Sequence, residues 1–192
     1  MYNPLEQLVS GHHAALLYRT PQEQFESVIP FILIGLLRKE RCLYVAGENT
    51  VQAILGQLKA AGVDVEREQR RGALNVAPGR EVFLKSGMFQ PEKMLGELQA
   101  ETAKALEDGF SGLRATGEMT WTLDVPGALE DLVQYEAALD RLFPKKLTGL
   151  CQYNEYSFRG ALLGEMIYLH PRVIAKGQVM QNPWYNPARY KL

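Results

Sequence analysis

Short, nearly unbroken apolar runs alternate along this chain with longer stretches in which apolar residues recur every three or four positions. That alternation restricts the fold more than any other feature. A run of about six apolar residues suits a strand buried on both faces of a sheet, and the periodicity between such runs suits a helix covering one face. His13-Ala-Ala-Leu-Leu-Tyr18 reads as the first strand. Thr20-Pro21-Gln22-Glu23 then offers an N-cap acceptor, a proline at the first helical position and a glutamate two residues on, a capping box that opens a helix. Phe25, Val28, Ile29, Ile32, Leu33, Leu36 and Leu37 carry its apolar face to about Lys39, with a kink expected at Pro30.

The rhythm repeats. Arg41 to Ala46 reads as a second buried strand closed by Gly47, and Asn49 or Thr50 caps a helix ending at Gly62. Residues 63 to 84 are more polar, with short strands expected at Leu74 to Val76 and at Val82 to Leu84. A helix is expected from Pro91 to Glu107, a strand from Phe110 to Thr116, a helix from Pro126 to Phe143, a strand from Leu147 to Tyr153, a helix from Ser157 to Leu169 and a last strand from Val173 to Val179. Right-handed βαβ crossovers then give an α/β fold with a mostly parallel sheet covered on both faces. The 192 residues suit a single domain, 1–192, with an irregular tail from about residue 180.

Composition narrows the function classes. A net charge of −1 offers no positive field for phosphate backbones or anionic lipid, so direct nucleic-acid binding is not expected. Cys42 and Cys151 both lie in apolar runs and form no disulfide framework, which favours a reducing cytosol. The longest apolar stretch, Val28 to Leu37, is too short to span a bilayer, and Met1 to Ser10 lacks the pattern of a targeting segment.

Ligands of an open parallel sheet bind beyond the carboxyl ends of its strands. The loop after the first strand, Arg19-Thr-Pro-Gln-Glu-Gln, has no glycine and no lysine followed by serine or threonine, so it cannot cradle a triphosphate. Gly117-Glu118-Met-Thr-Trp121 follows the strand expected to end at Thr116, which puts a carboxylate and an indole at the site-forming edge, although a turn cap and a core aromatic explain them as well. Leu150-Cys151-Gln152-Tyr153 ends another strand, where alternation puts Cys151 and Tyr153 on one face. His13, Cys151, His170 and Glu118 are of metal-ligating type, yet no pair has CxxC, HxH or HExxH spacing, so neither a metal nor a cofactor is expected.

In their order, these segments resemble one family. His13 to Tyr18, Phe31-Ile-Leu-Ile-Gly-Leu-Leu37, Gly117 to Trp121, Tyr135-Glu136 with Leu142-Phe143, Cys151-Gln-Tyr153, His170-Pro171 and Asn182-Pro-Trp-Tyr185 are similar to the MEDS domain, the methanogen/methylotroph sensory domain of dichloromethane-response regulators. The resemblance implies a RecA-like three-layer sandwich without a phosphate-binding loop. It also implies a sensor of simple hydrocarbon derivatives, one-carbon or methylated compounds, that feeds a histidine kinase, an anti-sigma factor or a DNA-binding regulator, commonly as a dimer. The matching positions are His13, Tyr18, Glu118, Trp121, Glu136, Cys151, Tyr153 and His170.

At a rise of about 3.3 Å per residue, His13 and Tyr18 stand roughly 16 Å apart, at opposite edges of the sheet. Tyr18, Trp121 and Tyr153 beside Glu118 would then suit a small apolar or methylated cationic ligand. The leading expectation is a cytoplasmic, non-enzymatic sensory domain, either stand-alone or part of a longer regulator, with ligand contacts from Tyr18, Glu118, Trp121, Cys151, Tyr153, His13 and His170. Its alternatives are a ligand-free interaction scaffold and an atypical nucleotide-using or cysteine-dependent enzyme.

Overall fold

A computed structural model describes residues 3–84 and 87–190, so only the first two and last two residues of the expected 1–192 domain, and two residues after Leu84, lie outside the described residues. A sheet of seven strands runs β3-β2-β4-β5-β1-β6-β7. The strands are β1 His13–Tyr18, β2 Arg41–Ala46, β3 Leu74–Pro78, β4 Leu113–Glu118, β5 Leu147–Asn154, β6 Arg172–Ala175 and β7 Gln178–Gln181. Every pairing is parallel except that of β6 with β7.

The helices are α1 Pro21–Leu37, α2 Val51–Ala60, α3 Val65–Arg70, α4 Gly79–Phe83, α5 Pro91–Glu107, α6 Ala128–Leu142 and α7 Ala161–Tyr168. Residues from α1, α2 and α3 pack on one face of the sheet with Ala14, Leu16, Tyr18 and Tyr44. Residues from α4, α5, α6 and α7 pack on the other with Ala15, Val45, Cys151 and Tyr153. Side chains on β1 and β5 therefore alternate between two apolar cores, as strand geometry requires. Each large side chain fully buried in these cores contributes about 1.5–3 kcal/mol relative to exposure. No helix among the described residues is long and apolar enough to cross a membrane.

Local signals set most boundaries. Thr20 Oγ1 accepts from Glu23 N at 3.2 Å, and the Glu23 carboxylate in turn accepts from Arg19 N at 2.8 Å. Thr50 Oγ1 accepts from Ala53 N at 3.1 Å and starts α2. The helix expected from Ser157 starts only at Ala161, and three further expectations need correction. Val82 to Leu84 is not a strand: Pro78 ends β3 and α4 begins at once, because a helical turn delivers Phe83 onto Trp121, with the rings stacked at 4.9 Å. The strand expected from Phe110 starts at Leu113 and runs on through Glu118, so Glu118 lies within the sheet. Val173 to Val179 is a hairpin of β6 and β7, reversed at Lys176 and Gly177, whose φ values of 50° and 70° match the primed turn that suits strand twist.

Candidate functional site

The carboxyl edge of the sheet is closed to a triphosphate at β1. Thr20 Oγ1 occupies the Glu23 amide of α1, the Glu23 carboxylate accepts from the Arg19 amide just before the cap, Pro21 has no N–H, and Arg19 Nε donates to Glu155 at 2.7 Å. A carboxylate already covers the helix terminus at which a phosphate would otherwise settle.

A converging set of amides stands instead after β2, and the chain fills it with its own carboxylate. Glu118 Oε2 accepts from the backbone N–H of Gly47 at 3.0 Å, Glu48 at 2.6 Å and Asn49 at 3.0 Å. Its Oε1 accepts from Tyr44 Oη at 2.7 Å and Asn49 Nδ2 at 2.9 Å. The close approach requires Gly47, since a Cβ there would lie 2.8 Å from that of Glu118. The network continues through Asn49 Nδ2 to Gln24 Oε1 (2.8 Å), Gln24 Nε2 to Gln152 Oε1 (2.7 Å) and Gln152 Nε2 to Thr116 Oγ1 (2.8 Å). A satisfied buried network of this kind rigidifies the edge of the sheet.

Beside it opens a crevice of about 660 Å³ lined by Gly47, Glu48, Arg80, Thr120, Trp121 and Asp124 among others. Trp121 forms its apolar wall, stacked on Phe83 and edge-on to Phe89 at 5.0 Å. Thr120 Oγ1 and Trp121 Nε1, both buried, have no hydrogen-bond partner among the described residues. Tyr18 Oη, buried outside the crevice lining, donates to Glu48 Oε2 at 3.3 Å. Burial, reinforced by Glu48 and Glu118, pushes the Tyr18 phenol far above its usual range.

A second constellation is enclosed on the other face of the sheet. His13 and Cys151 come from β1 and β5, Glu136 from α6, and His170 follows α7. His13 Nε2 lies 3.3 Å from Glu136 Oε2 and 3.5 Å from Cys151 Sγ. His170 Nε2 lies 3.4 Å and Cys151 Sγ 3.6 Å from the same Glu136 oxygen. Tyr153 Oη donates to Glu136 Oε1 at 2.6 Å, and Phe143 stacks on His13. Burial alone would push the Glu136 carboxyl up, but the imidazoles of His170 and His13 outweigh it and hold it below the usual carboxylate range. Burial and the nearby Glu136 charge push the Cys151 thiol and the Tyr153 phenol up.

The aromatic group expected around Glu118 is therefore not assembled. Tyr18 belongs to one core and Tyr153 to the other, while Glu118 is consumed by five hydrogen bonds from its own chain. Trp121 alone of that group lines the crevice. His13, Cys151, Tyr153 and His170 do converge, and Glu136, absent from the expected contacts, is their centre. The sequence holds a signal for it: Leu132, Tyr135, Glu136 and Leu139 share the buried face of α6, where a lone carboxylate demands a partner.

The model of the MEthanogen/methylotroph, DcmR Sensory domain matches residues 12–171. Among solved structures, a KaiC-like protein, PH0186, from the hyperthermophilic archaeon Pyrococcus horikoshii OT3 is similar with a TM-score of 0.61 at 14% identity, over 85% of this chain and 71% of that one. That likeness shows the fold, a RecA-like α/β sandwich. No curated protein matches the chain.

Proposed function

The chain belongs to the MEthanogen/methylotroph, DcmR Sensory (MEDS) domain family, and from that premise we propose that it is a non-enzymatic receiver whose crevice takes a small organic ligand and whose occupancy is read by a signalling partner. The observation that carries this reading is the crevice itself. It lies where α/β sheets bind ligands, and it is walled by Trp121. Glu48 and Asp124 outnumber Arg80 among the charged lining residues, a net negative balance that favours a neutral or cationic guest such as a methylated amine or a one-carbon compound over a nucleotide. The self-capped end of α1 supports the same preference.

The test uses a panel of methylated amines, short alcohols and halomethanes, measured by calorimetry and by tryptophan emission. Trp184 is 65% exposed, so Trp184→Phe leaves Trp121 as the sole emitter. A panel member that binds with a change in Trp121 emission, lost in Trp121→Leu, supports the crevice. Silence across the panel, or binding that leaves Trp121 emission unchanged, overturns it in favour of a ligand-free interaction scaffold.

A further inference from the structure

We propose that His13, Glu136, Cys151 and His170 form a binding site for one divalent transition-metal ion of the zinc class. Their four ligand atoms lie within 4.8 Å of one another, and all four residues are buried. The individual separations are informative. For metal–ligand bonds of about 2.0–2.3 Å, the donor atoms of a tetrahedral site stand about 3.3–3.7 Å apart. Four of the six separations here are 3.3, 3.4, 3.5 and 3.6 Å, and the two between His170 and His13 or Cys151 are no longer than 4.8 Å.

The orientation of the donors points the same way. His170 Nδ1 faces Met166 O at 2.7 Å, so that nitrogen donates to the carbonyl and Nε2 is the ring atom left to face the cluster. His170 Nε2 has no hydrogen-bond partner among the described residues, because its approach to Glu136 lacks hydrogen-bond geometry. Tyr153 binds Glu136 Oε1 and leaves Oε2 directed at both histidines and the thiol. A carbonyl on a ligating histidine and a hydroxyl on a ligating carboxylate are the supports that orient metal ligands.

Charge favours the occupied state. Two neutral imidazoles, one thiolate and one carboxylate balance a divalent cation to zero, which removes the cost of an uncompensated charge at a site without solvent. The mixed nitrogen, sulfur and oxygen donors suit zinc or cobalt and not magnesium or calcium. All four positions are filled by the protein, the closed arrangement of a structural ion, which here ties β1, β5, α6 and the end of α7 together. Binding releases the thiol proton and is coupled to folding.

The experiment reads the ion directly and is independent of the crevice ligand. The full chain is purified without chelator and its metal content measured by mass spectrometry. It is then stripped in denaturant and refolded with zinc, with cobalt or with neither. One equivalent of transition metal per chain is expected, together with a higher melting temperature with zinc than without. The cobalt form should show the visible bands of a tetrahedral ion and a thiolate charge-transfer band that Cys151→Ser abolishes and Cys42→Ser keeps. A chain purified with well under one equivalent that also refolds with cobalt without these bands overturns the proposal. So does a charge-transfer band that survives Cys151→Ser. If stripped chain does not refold under any condition, the content of the natively purified chain decides, one equivalent supporting the site and none refuting it.

Discussion

Tyr18 and Tyr153 stand one register step apart on adjacent parallel strands and leave opposite faces of the sheet, since Tyr153 pairs with Leu17 and Tyr18 with Asn154. Their hydroxyls share no partner, one binding Glu48 and the other Glu136. Tyr153→Phe is expected to destabilise the chain by about 1.5–3 kcal/mol, the range for a hydrogen bond to a charged group. Tyr18→Phe, whose bond reaches an exposed carboxylate, should cost under about 1.5 kcal/mol. In a double-mutant cycle by urea denaturation the coupling should stay below about 0.5 kcal/mol. A larger coupling would mean that the two phenols share an environment after all.

Glu118 is a structural clasp, and its substitution should be read in stability. Were Glu118 the ligand contact that the sequence suggests, Glu118→Gln would impair ligand response more than folding. With three backbone amides converging on one oxygen, a carboxamide leaves at least one buried donor poorly paired, for a loss of about 3 kcal/mol or more. Urea titration of the variant checks this, and an unchanged midpoint would contradict the clasp.

Nucleotide should not bind. Glu23 holds Arg19 N and Thr20 holds Glu23 N, so the end of α1 carries its own carboxylate and meets a triphosphate with repulsion. Magnesium–ATP in large excess is expected to leave the melting temperature unchanged, because a ligand that binds only the folded chain must raise it. A concentration-dependent rise would show that the loop has an unforeseen grip.

The second cysteine makes the stability of the chain fall in alkali. Burial, set against the nearby Arg114, pushes the Cys42 thiol up from 9.0 to about 12. A raised pKa means that the folded chain holds its proton more tightly than the unfolded one, so this stabilisation is complete below 9.0 and declines as pH climbs towards about 12. Urea midpoints measured across that range should drop more steeply for the natural chain than for Cys42→Ala. Identical slopes would show that Cys42 titrates alike in both states.

Much of the architecture is legible in the order of residues alone, because its determinants are local. Thr20-Pro21 and Thr50 announce helices through bonds made within three residues, and the runs of β1 and β2 match the residues expected for them. The missing phosphate loop is also a matter of adjacent residues. Where local signals are ambiguous, tertiary packing decides. Val82 to Leu84 has a strand-like composition, but Phe83 is drawn into a helical turn against Trp121. The candidate site divides along the same line. Their common edge of the sheet suggests that Tyr18 and Tyr153 are neighbours, whereas the register of β1 on β5 sends them to opposite cores. His13, Glu136, Cys151 and His170 meet only because β1 lies beside β5 and α6 and α7 pack on the same face of the sheet. No spacing rule foresees that meeting. Separations such as the 138 residues between His13 and Cys151 leave no local trace, and it is the packing of the whole sheet that brings them together.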